Sequence, residues 1–255
     1  MSSVDLGLQG QVYVVTGGSA GLGRATAEAL VADGANVVVS GRHAETVDQA
    51  VEELGSGNAT GLVADNADPS TPHALVDAAR STYGRLDGAL LSVGGPAAGT
   101  LMDTADADWS AAIEAVFLGG LRLGREIGRE LGEGGSIAYV LSSSVKSPIS
   151  GLAISNGLRP GLAMVAKNLA DELGPRGVRV NGLLPGRVDT DRVRWLDEQS
   201  GDAAAARQKA SQDIALRRYG EPAEFGRVAA FLLSPASSFV TGVMLPVDGG
   251  MLRSL

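Results

Sequence analysis

The stretch that most constrains this chain is Thr16-Gly17-Gly18-Ser19-Ala20-Gly21-Leu22-Gly23. The apolar run Val12-Tyr13-Val14-Val15 leads into it and has the character of a buried strand. Arg24 to Val31 leads out with helical spacing, Ala25, Ala29 and Leu30 sharing one face. A strand that breaks on glycines and reopens as a helix is a phosphate-binding turn. Without Cβ atoms the backbone can approach a diphosphate, and the free N–H groups of the first helical turn point at the anion. The spacing is G-x-x-x-G-x-G, and an ordinary βα turn would share its outline.

The following segments extend that unit into an alternating α/β pattern. Asp33-Gly34 stops the helix, and Asn36-Val37-Val38-Val39-Ser40 is a second strand. Its tip, Gly41-Arg42, is where an adenosine ribose meets such a unit. An acid there would repel a 2′-phosphate, whereas Arg42 offers a planar charged fork that matches phosphate oxygens. This favours NADP(H), with NAD(H) as second choice; otherwise Arg42 is a solvated surface arginine. Thr60 to Ala64 is a third strand ending at Asp65-Asn66, and Asp65 could accept from an adenine amino group or cap the helix after Pro69. A helix over Thr71 to Tyr83 and a strand over Leu86 to Ser92 follow, the latter ending in Gly94-Gly95-Pro96. Strict alternation predicts a doubly wound, Rossmann-type parallel sheet with ligands beyond the carboxyl ends of its strands.

In the second half, Asp106 to Leu131 reads as a long helix. Gly120, Gly124, Gly128 and Gly132 recur every fourth residue along one face of it, at about 1 kcal/mol each against alanine. Close approach of another helix would offset that cost, in this subunit or a neighbour; self-association is the first expectation. Ser136 to Leu141 is a fifth strand opening into Ser142-Ser143-Ser144-Val145-Lys146. Leu162 to Leu173 is helical, and Pro160 predicts a kink or a helix that starts near it. Val178 to Leu184 is a sixth strand stopping at Pro185-Gly186, and Met244 to Val247 is the last. Residues 191–212 read as a polar helical lid over the pocket.

The chain has 255 residues, no repeats and no linker-like stretch, so one domain over residues 1–255 is expected. With no cysteine, disulfides and thiol nucleophiles are excluded, and His43 and His73 are not at metal-ligand spacing, so no metal site is expected. A net charge of −8 argues against nucleic acid or anionic lipid as a partner. No apolar stretch reaches the ~20 residues of a membrane span, and the N-terminus lacks the basic-then-apolar pattern of a leader. A cytoplasmic protein acting on a small molecule is expected.

These residues together resemble the short-chain dehydrogenase/reductase family, and within it the 3-oxoacyl-(acyl carrier protein) reductase-like members. Thr16-Gly17-x-x-x-Gly21-x-Gly23 matches the cofactor turn, and Asp65 the adenine-side acid. Asn181-Gly182-Leu183-Leu184-Pro185-Gly186-Arg187-Val188-Asp189-Thr190 matches the segment whose final threonine binds the nicotinamide amide. Arg218-Tyr219-Gly220-Glu221-Pro222 and Val247-Asp248-Gly249-Gly250 match the C-terminal signature. The resemblance implies a seven-stranded parallel sheet in homodimers or homotetramers. The cofactor positions it implies are Gly17, Ser19, Gly21, Leu22 and Gly23 in the turn, with Arg42, Asp65 and Asn66 on the adenosine side. Gly94, Arg159, Pro185, Gly186, Val188 and Thr190 complete the set.

The catalytic positions depart from the family pattern. Members carry a serine, a tyrosine thirteen residues on and a lysine four further. Here those positions fall on Ser142, Ser155 and Arg159, and the usual asparagine on Val116. Ser143 takes the serine role if the register slips by one. Arg159 can still bind ribose hydroxyls but stays protonated, and Ser155 is a short, unactivated hydroxyl. Lys146 is a candidate replacement donor or a plain loop lysine, and a water between Ser142 and Ser155 is another donor. Tyr139, three before Ser142, belongs to the opposite face of its strand. Two functions follow. One is an NADP(H)-linked oxidoreductase on a small carbonyl or alcohol with a non-standard acid–base site. The other is a redox-inactive protein on the same scaffold: a nucleotide-binding sensor, a partner subunit, or a non-redox enzyme such as a cyclase or dehydratase.

Overall fold

The computed structural model describes residues 5–199 and 201–254. β1 (Val12–Val15) is buried along its whole length because it is an interior strand, between β2 and β4, of a seven-stranded sheet ordered β3-β2-β1-β4-β5-β6-β7, all parallel. The other strands are β2 (Asn36–Gly41), β3 (Ala59–Val63), β4 (Gly88–Ser92), β5 (Ser136–Val140), β6 (Arg179–Pro185) and β7 (Met244–Val247). Side chains alternate between faces, so Val12 and Val14 enter one core and Tyr13 and Val15 the other. The first core lies under α3 (Thr71–Tyr83), α5 (Gly119–Glu130) and α6 (Ala153–Leu173). The second lies under α1 (Gly21–Ala32), α2 (Ala44–Leu54) and α9 (Pro222–Leu233). The doubly wound parallel expectation therefore holds, with its order reversing between β1 and β4.

At that reversal the two strand ends are pinned together. Thr16 Oγ1 donates to the Ser92 carbonyl at 3.0 Å and accepts from the Ser92 N–H at 2.8 Å. Beyond this pair the connections from β1 and β4 diverge to opposite faces, which opens the crevice where such sheets hold ligands.

The expected helix over 106–131 is a rod of three parts: α4 (Asp106–Ala112), a π-helical segment over Ile113–Leu118, and α5. Its glycine face does not await another subunit. A Cβ on Gly124 would land on the Tyr139 hydroxyl, one on Gly120 would come within 3.0 Å of Leu162, and one on Gly128 within 2.7 Å of Leu173. The glycines let α5 press against β5 and α6 of its own chain, and Tyr139 donates to the Gly120 carbonyl at 3.2 Å. Gly132 lies beyond the end of α5. This corrects the expectation that the stripe serves self-association.

A helix beginning near Pro160 is also corrected, because α6 begins at Ala153 and continues through the proline. An interior proline costs about 3 kcal/mol. Two tertiary anchors in the preceding turn oppose that cost. Asn156 bonds both backbone groups of Ile149, accepting at 2.9 Å and donating at 2.8 Å, and Arg159 donates to the Val140 carbonyl at 2.6 Å. The lid is two helices, α7 (Asp191–Glu198) and α8 (Ala203–Asp213), the second capped by Asp202 accepting from the Ala205 N–H at 3.0 Å. No helix among the described residues is long and apolar enough to cross a membrane.

Replacing Gly124 with alanine should destabilise the chain by about 1–3 kcal/mol in urea denaturation, the usual cost of overpacking. Adding Tyr139→Phe should recover part of that loss by removing the colliding oxygen. A G124A variant as stable as the wild type would contradict the inward packing of this face.

Candidate functional site

The glycine turn takes its shape from positions that no side chain could share. Gly17 and Gly21 have φ of +60° and +55°. A Cβ on Gly18 would lie 2.8 Å from the Val15 carbonyl oxygen, and one on Gly23 would strike the Gly17 carbonyl. α1 follows with Ala20 at its N-cap, no side-chain cap and no acid in its first turn. Its leading N–H groups are thus left for an anion.

This turn borders a cavity of about 710 Å³. Gly17, Gly21, Leu22 and Gly23 line one side, Gly94, Gly95 and Pro96 another, and Pro185, Gly186, Val188 and Thr190 a third. Ser142, Ser143, Ser155 and Arg159 also line it. The structure therefore brings most of the expected cofactor positions to one cavity with three of the four candidate catalytic residues.

The remainder lie outside the lining. Ser19 packs on the tip of β2, where a Cβ on Gly41 would come within 2.6 Å of its hydroxyl, and Arg42 beside it is exposed. Asp65 is exposed and accepts from the Ala67 N–H at 2.9 Å. The N-cap of α3 is Ser70, so Asp65 closes a turn and does not cap that helix. Asn66 donates to the Ser92 carbonyl at 3.2 Å, tying the loop after β3 to the end of β4. These residues follow the carboxyl ends of β1, β2 and β3, as an adenosine side requires. Lys146 is exposed and is not among the residues that line the cavity.

Hydroxyl groups and guanidinium groups dominate the catalytic end. Ser142 Oγ accepts from the Ser144 N–H at 3.1 Å, which fixes its direction at the end of β5. Ser144 Oγ is 3.2 Å from Ser155 Oγ, either atom being able to donate. Ser144, which sequence reasoning did not single out, thus links the two expected serines. Arg159 is buried, donates to the carbonyls of Val140 and Gly94, and leaves Nε without a partner. Burial pulls its pKa down from the usual arginine range to about 10, so it remains a cation at neutral pH. No carboxylate pairs with it among the described residues. None of the four tyrosines lines the cavity. Tyr139 is buried against α5, and Tyr219 donates to Asp197 at 3.1 Å. Val116 is buried inside the π-helical segment.

Arg187, ahead of the lid, and Arg192, Val193 and Leu196 of the lid join the lining, while Trp195 and residues 97–100 stay outside it. Arg187 is held by buried Asp197 at 2.9 Å. Arg192 donates to the Pro96 carbonyl at 2.6 Å and lies 4.5 Å from the centroid of the Trp195 ring. Neither the 2.6 Å bond nor the stacking is encoded by a motif; the only sequence signal is an arginine two residues after Thr190.

Comparison with known proteins places this geometry. Residues 17–252 match the family described as Enoyl-(Acyl carrier protein) reductase. An uncharacterized oxidoreductase of Mycobacterium tuberculosis is 32% identical over 249 residues, covering 95% of this chain and 92% of its own. Human dehydrogenase/reductase SDR family member 4 is 32% identical over 250 residues, covering 95% of this chain and 88% of its own. L-sorbose reductase from Gluconobacter frateurii, solved with NADPH and L-sorbose, superposes with a TM-score of 0.92 at 28% identity, covering 99% of this chain and all of that one. Glycine turn, switch-point crevice and whole-length similarity agree: the chain belongs to the short-chain dehydrogenase/reductase family of oxidoreductases.

Proposed function

We propose that this protein is an NADP(H)-linked oxidoreductase that acts on a small carbonyl or alcohol, in the manner of the 3-oxoacyl reductases, with a non-standard acid–base site. The observation that carries this reading is the continuity of the cavity. It runs from the uncapped N-terminus of α1 to Ser142, Ser155 and Arg159, and its 710 Å³ suits a sizeable organic ligand. The residues fit a dinucleotide: a turn whose Cβ positions are closed, leading N–H groups without a cap, and a buried guanidinium with an unsatisfied Nε. NADPH in the L-sorbose reductase structure supports the same choice of cofactor, as does exposed Arg42 at the tip of β2.

When bound, the nicotinamide supplies hydride chemistry. The chain must orient it and manage a proton. Thr190 and the Pro185-Gly186 turn would hold the amide end, and Arg159 the ribose hydroxyls. Ser142, oriented by the Ser144 N–H at 3.1 Å, would donate to the substrate oxygen, while Ser144 Oγ and Ser155 Oγ form a separate hydroxyl pair 3.2 Å apart. Arg159 adds positive charge where oxygen gains electron density, without giving up its proton. An absent tyrosine costs about 10²–10⁴-fold in rate relative to a site with a tuned general acid. The cavity has no tyrosine or lysine in its lining. That observation favours the second reading, a scaffold that binds nucleotide without redox turnover, as a sensor, partner subunit, cyclase or dehydratase.

The two readings part in one assay. Purified protein with NADPH and a panel of oxoacyl thioesters, diketones and quinones should lose nicotinamide absorbance with at least one substrate. NADPH binding with no turnover across the panel would sink the first reading, and binding of neither dinucleotide would sink both. Arg42→Asp should shift the NADPH-to-NADH affinity ratio toward NADH by about tenfold or more, measured by calorimetry. An unchanged ratio would remove Arg42 from the 2′-phosphate site.

We place the protein in the cytoplasm as a homodimer or homotetramer with a small-molecule substrate and no nucleic-acid or membrane partner. Ile113 and Met164, exposed by 40% and 63%, leave apolar side chains on the outer sides of the rod over 106–130 and of α6. Light scattering should return two or four times the 25.9 kDa chain mass; a monomer would refute the assembly.

A further inference from the structure

Four arginines gather where the lid meets the cavity, and three of them have acids. Arg187 pairs with Asp197 at 2.9 Å, Arg194 with Asp189 and Asp191 at 2.9 and 2.8 Å, and Arg207 with Asp189 at 2.8 Å. Arg192 pairs with none among the described residues, and among them its hydrogen bonding is limited to the Pro96 carbonyl. It is half-buried, lines the cavity, and burial lowers its pKa. Two acids share this rim. Asp191 is 90% exposed and held by Arg194, and Asp213 is exposed on α8. A partly desolvated guanidinium with one neutral acceptor is an incomplete arrangement, and an anion completes it.

The place of Arg192 identifies the anion. α7 starts against the glycine turn, since a Cβ on Gly21 would lie 3.6 Å from Thr190 Cγ2. Two residues later Arg192 reaches the loop after β4, where its Nε lies 2.9 Å from a Cβ position on Gly95. The same loop is held from the core side by Arg159, which donates to the Gly94 carbonyl. The side chain therefore bridges the two rims of the crevice whose floor is the glycine turn and the first turn of α1. Trp195 stacks on the guanidinium at 4.5 Å and fixes its plane.

We propose that Arg192 is a latch over the dinucleotide, closing the rims through Pro96 and presenting its free N–H groups to the diphosphate from the side opposite the glycine turn. This rests on the dinucleotide reading above. The anion would be gripped between backbone N–H groups below and a guanidinium above, and release would require α7 to give up both the Pro96 carbonyl and the diphosphate.

The test is calorimetric titration of NADPH into the wild type, Arg192→Gln and Arg192→Lys at low and high salt. Adenosine 2′-monophosphate, which lacks the diphosphate, serves as the control ligand. R192Q should weaken NADPH by about tenfold at low salt, with a smaller deficit at high salt, and leave adenosine 2′-monophosphate unchanged. R192K should retain most of the NADPH affinity, because it keeps the charge; this arm carries the test if R192Q melts early. NADPH affinity of R192Q within about twofold of wild type would overturn the latch while leaving the dinucleotide site intact. So would an equal loss for both ligands, or an R192K as weak as a neutral variant. A wild type that binds neither NADPH nor NADH would overturn the dinucleotide reading itself.

Discussion

Everything at this site depends on how closely main chain can approach main chain where β1 turns into α1. A single methyl group at Gly18 or Gly23 would collide with the carbonyls of Val15 or Gly17. The turn follows directly on the two-way bond between Thr16 and Ser92 that ties the end of β1 to the end of β4. That lock sets the floor of the crevice, and it leaves the first N–H groups of α1 with no partner from the protein. The sheet, with both faces buried, supplies the rigidity that keeps such a turn from relaxing.

Arg159 shows the same economy of backbone. It is a buried cation whose hydrogen-bond partners among the described residues are two carbonyls, Val140 at the end of β5 and Gly94 after β4. It therefore joins two neighbouring strand ends while its buried Nε stays without a partner. A buried charge without a counter-ion is expensive, and proteins retain one where a ligand or a developing charge completes it. A planar guanidinium can brace two loops at once, which a compact ammonium cannot.

Much of this could be read from the amino-acid sequence, because the fold is periodic and locally encoded. The glycine turn, the alternation of apolar runs with helical stretches, and the Pro185-Gly186 to Thr190 segment each carry their signal within a few residues. What escaped is set by partners distant in sequence. The glycines of α5 face inward because Tyr139, Leu162 and Leu173 occupy that side. Pro160 sits inside α6 because Asn156 and Arg159 are anchored elsewhere. Ser144 connects Ser142 and Ser155 only after β5 and α6 have packed together. Arg192 gains meaning from Pro96, a contact spanning almost a hundred positions of chain.

The π-helical segment over Ile113–Leu118 carries one more consequence. Widening a helix to an i→i+5 pattern inserts the equivalent of one residue, about 100° of phase, without lengthening the rod by a full turn. Trp109 on the near side of the segment meets Gly157, and Gly120 on the far side meets Leu162, so both halves of the rod pack on α6. The segment therefore sets the phase between two halves of one rod, each of which packs on α6.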